Sequence, residues 1–253
     1  MDDLAWLKPV IIFSTFGLLF IAERLRPAGH RPDKAGTARL ISNISLGGFN
    51  TVLSPLIVLP ITATAAAMAP SWRPAALDGW IGIGLDLLIL DLWIYWWHRA
   101  NHRIPFLWRF HEVHHLDEFL DVTSSARFHF GELFLSAIVR GAVIIALDIS
   151  LSSVLIFSVL VTLNAAFHHC NVRLPERLER LLRRVIVTPS HHWVHHHNVR
   201  RDTDSNYSTI LTMWDRLFGT WSETKRWPDM PIGTEGRTEK PLPGLIVRPL
   251  QKP

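Results

Sequence analysis

His111 to His115 reads HEVHH, and two readings of those five residues lead to different proteins. As HExxH, His111 and His115 hold a zinc ion on one helix face and Glu112 activates water, the signature of zinc hydrolases. As HxxHH, the same segment is one part of a larger histidine cage. Both readings require a helix, because residues three and four apart lie on one face.

The surrounding sequence favours the cage. HRANH places His98 and His102 four apart. HHWVHHH, residues 191–197, repeats the HxxHH spacing as His192, His195 and His196, with His191 and His197 left over. Thirteen of the fourteen histidines fall between positions 98 and 197, and only His30 lies apart. The three patterns give eight matched imidazoles: His98, His102, His111, His114, His115, His192, His195 and His196. A catalytic zinc site needs three protein ligands and an open position, which leaves five spaced histidines without work. Two metal ions with about four imidazoles each use them all. Imidazole suits iron, copper and zinc alike, so the pattern alone does not name the metal. A zinc-dependent membrane hydrolase working through residues 111–115 is one alternative. A non-catalytic metal-binding or transport protein is the other, because histidine-rich tracts often only bind metal.

The hydropathy points to the membrane. Of 253 residues 48% are hydrophobic, and mean hydropathy is +0.18. No formal charge occurs between Arg39 and Arg73, a run longer than the ~20 apolar residues a span requires. Residues 149–167 form a second uncharged run. Residues 9–22 are short for a span and suit a hairpin arm. Residues 79–97 carry Asp86 and Asp91, and residues 133–147 carry Arg140. The expected fold is all-α and integral to the membrane, with about four to five embedded helices and a cytosolic, histidine-rich helical cap. Basic residues alternate between the connections, and fourteen of the twenty-six follow Asn171, which puts the histidine segments on the cytoplasmic side by the positive-inside rule. The acidic start, MDDLAW, is unlike a secretory leader, so none is expected to be cleaved. Trp93, Tyr95, Trp96 and Trp97 suit an aromatic belt where a helix leaves lipid.

A lone cysteine, Cys170, rules out an intrachain disulfide and a cysteine-rich metal site, leaving nitrogen and oxygen donors. It also excludes an iron–sulfur centre, and no GxGxxG opens a helix. Electrons for any redox chemistry must therefore come from a separate protein. Arg177, Arg180, Arg183, Arg184, Arg200 and Arg201 offer it a basic docking face, or offer anionic headgroups a binding face. Topology accounts for the pI of about 9.6, so no nucleic-acid partner is expected. Oligomeric state is not encoded in any recognisable feature. LPERLERLLRRVIV, residues 174–187, reads as an amphipathic helix. One domain is expected over residues 1–224, followed by a Pro- and Gly-rich tail, 225–253, that wraps the surface or is disordered.

DLWIYWWHRANH, HEVHH and TPSHHWVHHH resemble the three histidine boxes of the fatty acid hydroxylase and sterol desaturase superfamily. DVTSSARFHFGE (121–132), FHHCNVRLP (167–175) and NYSTILTMWDRLFGTW (206–221) resemble further family segments in the same order. The resemblance spans about residues 85–221. It implies a four-helix membrane base, two iron ions under histidine ligation, and O2-dependent hydroxylation or desaturation at a C–H bond of a fatty acyl, sterol or related lipid. Carried over residue by residue, it adds His169 to the eight ligands, with His168 as the fallback and His129 near the metals. Phe130 stands where the family often has proline. No catalytic group beyond the metal ligands is implied. Carboxylates are expected to orient imidazoles by accepting their distal N–H, and Asp91, Glu112, Asp121, Asp204 and Asp215 are the candidates.

Overall fold

The computed structural model describes residues 7–31, 36–77 and 79–251. The acidic start MDDLAW and Lys34, one of the basic residues in the first connection, lie outside them. Among the described residues the chain is helical, with isolated bridges such as Pro27 to Val172 and no strand.

Four apolar helical segments are long enough to cross a membrane: Thr37–Ala67, Gly79–Arg103, Phe130–Leu147 and Leu151–His169. The first comprises α2 (Thr37–Leu53), a π-helical turn (Ser54–Val58) and α3 (Leu59–Ala67). Pro55 and Pro60 lack the N–H that a regular α-ladder needs, and the wider turn absorbs the disruption. The other three are α4 (Gly79–Arg103), α6 (Phe130–Leu147) and α7 (Leu151–His169), with α5 (Pro105–His115) between the first two. The apolar run at residues 9–22 lies within α1 (Leu7–Leu25). This helix carries Lys8, Glu23 and Arg24, is not among the four, and packs on α7. It keeps an outward apolar face through Phe13, Leu18 and Ile21.

Charges inside the spans find polar or charged partners. Asp86 meets Arg73 at 2.5 Å, and Arg140 donates to Thr62 Oγ1. Buried Arg39 bonds Asp117 and Asp121, tying α2 to the loop after α5. A membrane interior makes unpaired charge costly, so these pairs fix how the helices sit against one another.

The remaining short helices form the cap: α8 (Glu176–Leu182), α9 (Pro189–His195), α10 (Arg200–Thr203), α11 (Met213–Leu217) and α12 (Leu242–Val247). The helix expected across 174–187 is shorter than its pattern. It ends at Leu182 because residues 186–187 pair with 210–211, and Leu178, Leu181 and Val185 stay exposed. The C-terminal segment packs into the cap. Met230 and Ile232 join Trp193 and Phe119, while Leu245 joins Leu46, Val113 and Leu116. Burial of these side chains, worth about 1.5–3 kcal/mol each, holds the segment in place. Of the aromatic run before the first histidine pair, Trp96 is exposed and Tyr95 is wholly buried.

Candidate metal centre

The centre forms where the spans α4 and α7 end against the short helices α5 and α9. α4 delivers His98 and His102 in its last two turns, α7 delivers His169 in its last turn, and α5 and α9 carry the two HxxHH segments. Pro105 and Pro189 start α5 and α9, because their fixed φ suits the first helical turn. α5 packs on α4 and α9 packs on α7.

Nine buried imidazoles converge there in two sets. His98, His102, His111, His115 and His195 form one; His114, His169, His192 and His196 form the other, with the offered nitrogens of each set within 4.8 Å of one another. The sets adjoin, since the His115 and His196 rings stack at 4.2 Å. Each HxxHH segment divides in the same way. Its i and i+4 residues, about 40° apart around the helix, enter one set, while the i+3 residue, about 100° from i+4, reaches the other. Thus His111 and His115 oppose His114, and His192 and His196 oppose His195.

Hydrogen bonding fixes the tautomers. A carbonyl only accepts, so the ring nitrogen facing it carries the proton. His98 Nδ1 donates to Tyr207 O, His114 Nδ1 to Arg127 O, His169 Nδ1 to Ala165 O and His195 Nδ1 to Ser205 O, at 2.7–3.2 Å. Their Nε2 atoms therefore hold bare lone pairs when the rings are neutral. Burial, reinforced by neighbouring imidazoles, holds His114, His115, His192, His195 and His196 well below the usual histidine range, so the neutral form prevails. Yet His114 Nε2 lies 3.1 Å from His169 Nε2, and neither has a proton to share. Two lone pairs held face to face in burial need a cation between or beside them. In the five-membered set, His111 Nε2, His195 Nε2 and both nitrogens of His102 and His115 are buried without a hydrogen-bond partner. This donor set fits metal ions, which take neutral imidazole and satisfy such orphaned nitrogens.

The remaining candidates lie at the margins. His168 packs tilted against His192, ring centroids 4.0 Å apart, but its Nδ1 accepts from Asn164 Nδ2 at 3.2 Å, and it belongs to neither set. His129 caps α6: its Nδ1 accepts from Gly131 N and its Nε2 donates to Ile246 O, which occupies both nitrogens with protein. His191 and His197 pair with Asp215 and Asp202.

Most of the expected carboxylates act elsewhere. Asp91 accepts from Ile210 N, Leu211 N and Trp214 Nε1. Asp121 caps the 3-10 turn Val122–Ala126 and pairs with Arg39. Glu112 is buried against Arg248 and Arg237. Asp215 accepts from Tyr207 N, one peptide from the carbonyl that fixes His98. Among the five, Asp204 comes nearest a member of the sets, 3.6 Å from His102 Nδ1. The carboxylate bonded to one of the nine is Glu132, which was not among the candidates. Its Oε1 accepts from His111 Nδ1 at 2.9 Å and from Asn101 Nδ2 at 3.0 Å. A signal for it existed: an acidic residue in the first turn of an apolar span, three positions after His129. The four orienting carbonyls left no signal, since backbone groups are alike in every sequence.

The same region carries the likeness to known proteins. The family profile for fatty acid hydroxylase matches residues 83–220. The chain is 25% identical to ornithine lipid hydroxylase OlsE of Rhizobium tropici over 98% of its own length and 77% of that protein's. It is 32% identical to the alkylglycerol monooxygenase of Danio rerio over 54% of its length, spanning 30% of that longer protein. It is 29% identical to a cholesterol 25-hydroxylase-like protein of Danio rerio over 59% of its length and 62% of that protein's. No solved structure matches. All nine converging histidines lie inside the matched segment, and by that match the chain belongs to the fatty acid hydroxylase family.

Proposed function

We propose that the protein is a membrane-bound, O2-dependent lipid hydroxylase or desaturase that works with two iron ions. The observation that carries this is the division of nine buried imidazoles into adjoining sets of five and four. His98, His102, His111, His115 and His195 would hold one ion, and His114, His169, His192 and His196 the other. Iron bound there supplies the redox chemistry that activates O2.

The chain's own contribution is orientation and exclusion of water. Tyr207 O, Arg127 O, Ala165 O and Ser205 O keep four rings in the tautomer that presents Nε2, and Glu132 with Asn101 does the same for His111. Burial of every ring keeps bulk water out, which suits oxidation of an unactivated C–H bond. The centre lies at the ends of α4 and α7, so a lipid reaches it laterally. A hydrolase using HExxH would need Glu112 as its base, and that carboxylate is held between two guanidinium groups.

The positive-inside pattern supports a cap on the cytoplasmic side, where a separate electron-donor protein reaches it. Arg200 supports docking there: it covers Trp108 at 5.0 Å and donates to His102 O, and Trp108 packs against the His102 ring. Ornithine lipid is the first substrate to test, because the likeness to the hydroxylase of that name runs through nearly the whole chain. Purified protein should contain about two iron atoms per chain under such a ligand count. Lipid profiling of cells with and without the protein should show one lipid class gaining one oxygen. One tightly held zinc, with no iron and no oxidised lipid, overturns the proposal.

A further inference from the structure

A cleft of about 230 Å³ opens between the π-helical turn and the start of α6. Leu53, Ile57 and Val58, with Asn50 and Ser54 among them, form one wall, and Phe130, Leu133 and Phe134 the other. Taking the ~30 Å³ share of a water molecule as the scale, that volume corresponds to about eight water-sized groups. Its origin is local: a π-turn shifts the register of the side chains that follow, which interrupts the ridge that would otherwise pack against α6.

Position and neighbours identify the occupant. Both walls belong to membrane-spanning segments, Thr37–Ala67 and Phe130–Leu147, so the cleft opens into hydrocarbon. Phe130 and Phe134 remain 41% and 44% exposed on the α6 wall. Apart from Asn50 and Ser54 the lining offers water no partners, whereas an alkyl chain loses nothing by entering.

The inner wall is shared with the metal centre. Phe130, Gly131, Leu133 and Phe134 face the cleft, while Glu132, between them, turns away to His111 and Asn101. A Cβ at Gly131 would lie 2.5 Å from the Phe110 ring, so the first turn of α6 sits directly against α5. One helical turn therefore separates the cleft from the five-histidine set. We propose that this cleft seats an alkyl chain of a membrane lipid beside the metal centre. The proposal rests on the oxygenase reading for its purpose, though not for its test.

The test uses the full chain in phosphatidylcholine vesicles doped with a phospholipid that carries a diazirine in its acyl chain. After irradiation, adducts are mapped by peptide mass spectrometry. Adducts should concentrate on residues 50–58 and 130–134, above the level on the exposed α7 side chains Leu155, Ile156 and Leu160. Ile57→Trp should cut the cleft adducts severalfold by occupying the space an alkyl chain would take, and leave those on α7 unchanged. Leu133→Phe fills the cleft from the other wall and serves if Ile57→Trp loses helical circular dichroism or bound iron. Even labelling of α6 and α7 overturns the proposal, as does labelling unaffected by either filling variant. Absence of adducts from both segments, expected if a second copy covers this face, also overturns it. Labelling needs no turnover, so a labelled cleft without any oxidised lipid removes the oxygenase reading alone. Oxidised lipid formed at unchanged KM by both filled variants removes the cleft alone.

Discussion

Glu112 and Arg248 form an ion pair in which each side chain is 1% exposed, and Arg237 stands 3.6 Å from the other carboxylate oxygen. The glutamate of HExxH is thus a strut between α5 and the C-terminal segment. Removing one member of such a pair strands a buried charge at a cost of ~3–5 kcal/mol. Arg248→Met should lower the thermal midpoint by about 10 °C, and Glu112→Gln combined with Arg248→Met should recover much of it. Differential scanning fluorimetry checks both. Glu112→Gln alone should leave measurable lipid oxidation, whereas a peptidase mechanism predicts complete loss of activity.

Glu132 should govern how tightly the five-histidine set holds metal. Glu132→Gln keeps the size of the side chain but removes the charge that favours an Nδ1–H on His111. Loss of a partner of this kind typically weakens metal binding by about 10–100-fold. Competition with a chelator measures the effect. Unchanged iron retention would show that Glu132 serves only to hold α6 against α4.

The two histidines at the end of α7 should behave differently. His169→Ala removes a member of the four-histidine set and should lower iron content towards about one atom per chain, given the loss of one of four donors. His168→Ala should keep nearly all of it, because that ring lies outside both sets. His129→Ala should cost stability through the lost α6 cap, about 1 kcal/mol, with iron content intact. Inductively coupled plasma analysis of the three variants separates these outcomes.

Asp91 should act on the centre at a distance. Its carboxylate holds Ile210 N, Leu211 N and the Trp214 indole, and that segment also presents Tyr207 O to His98. Asp91→Asn supplies only one accepting oxygen and turns an NH2 towards a donor, at about 1–3 kcal/mol. Trp214 emission should shift to the red in the variant, and urea should unfold it at a lower midpoint.

The legible parts of this chain were those with local periodicity. Apolar runs, two of them uncharged, announced the four spans, and the i, i+3, i+4 spacing announced which imidazoles share a helix face. The failures have a common cause in distance along the chain. The pattern across 174–187 runs past Leu182, where pairing with residues 210–211 ends the helix. The Pro- and Gly-rich tail reads as wrapping the surface or disordered, and its composition does not tell that Arg248, Leu245 and Ile246 O are fixed against α5, α2 and His129.

By itself, then, the sequence determined an all-helical membrane chain with HxxxH and HxxHH segments on helix faces, because hydropathy and helical spacing act within a few turns. Only the tertiary structure decided how nine rings divide into five and four, that Glu132 rather than Glu112 faces them, and that four backbone carbonyls fix their tautomers. Those outcomes depend on helices far apart in sequence meeting at particular angles. A one-dimensional pattern does not carry that information.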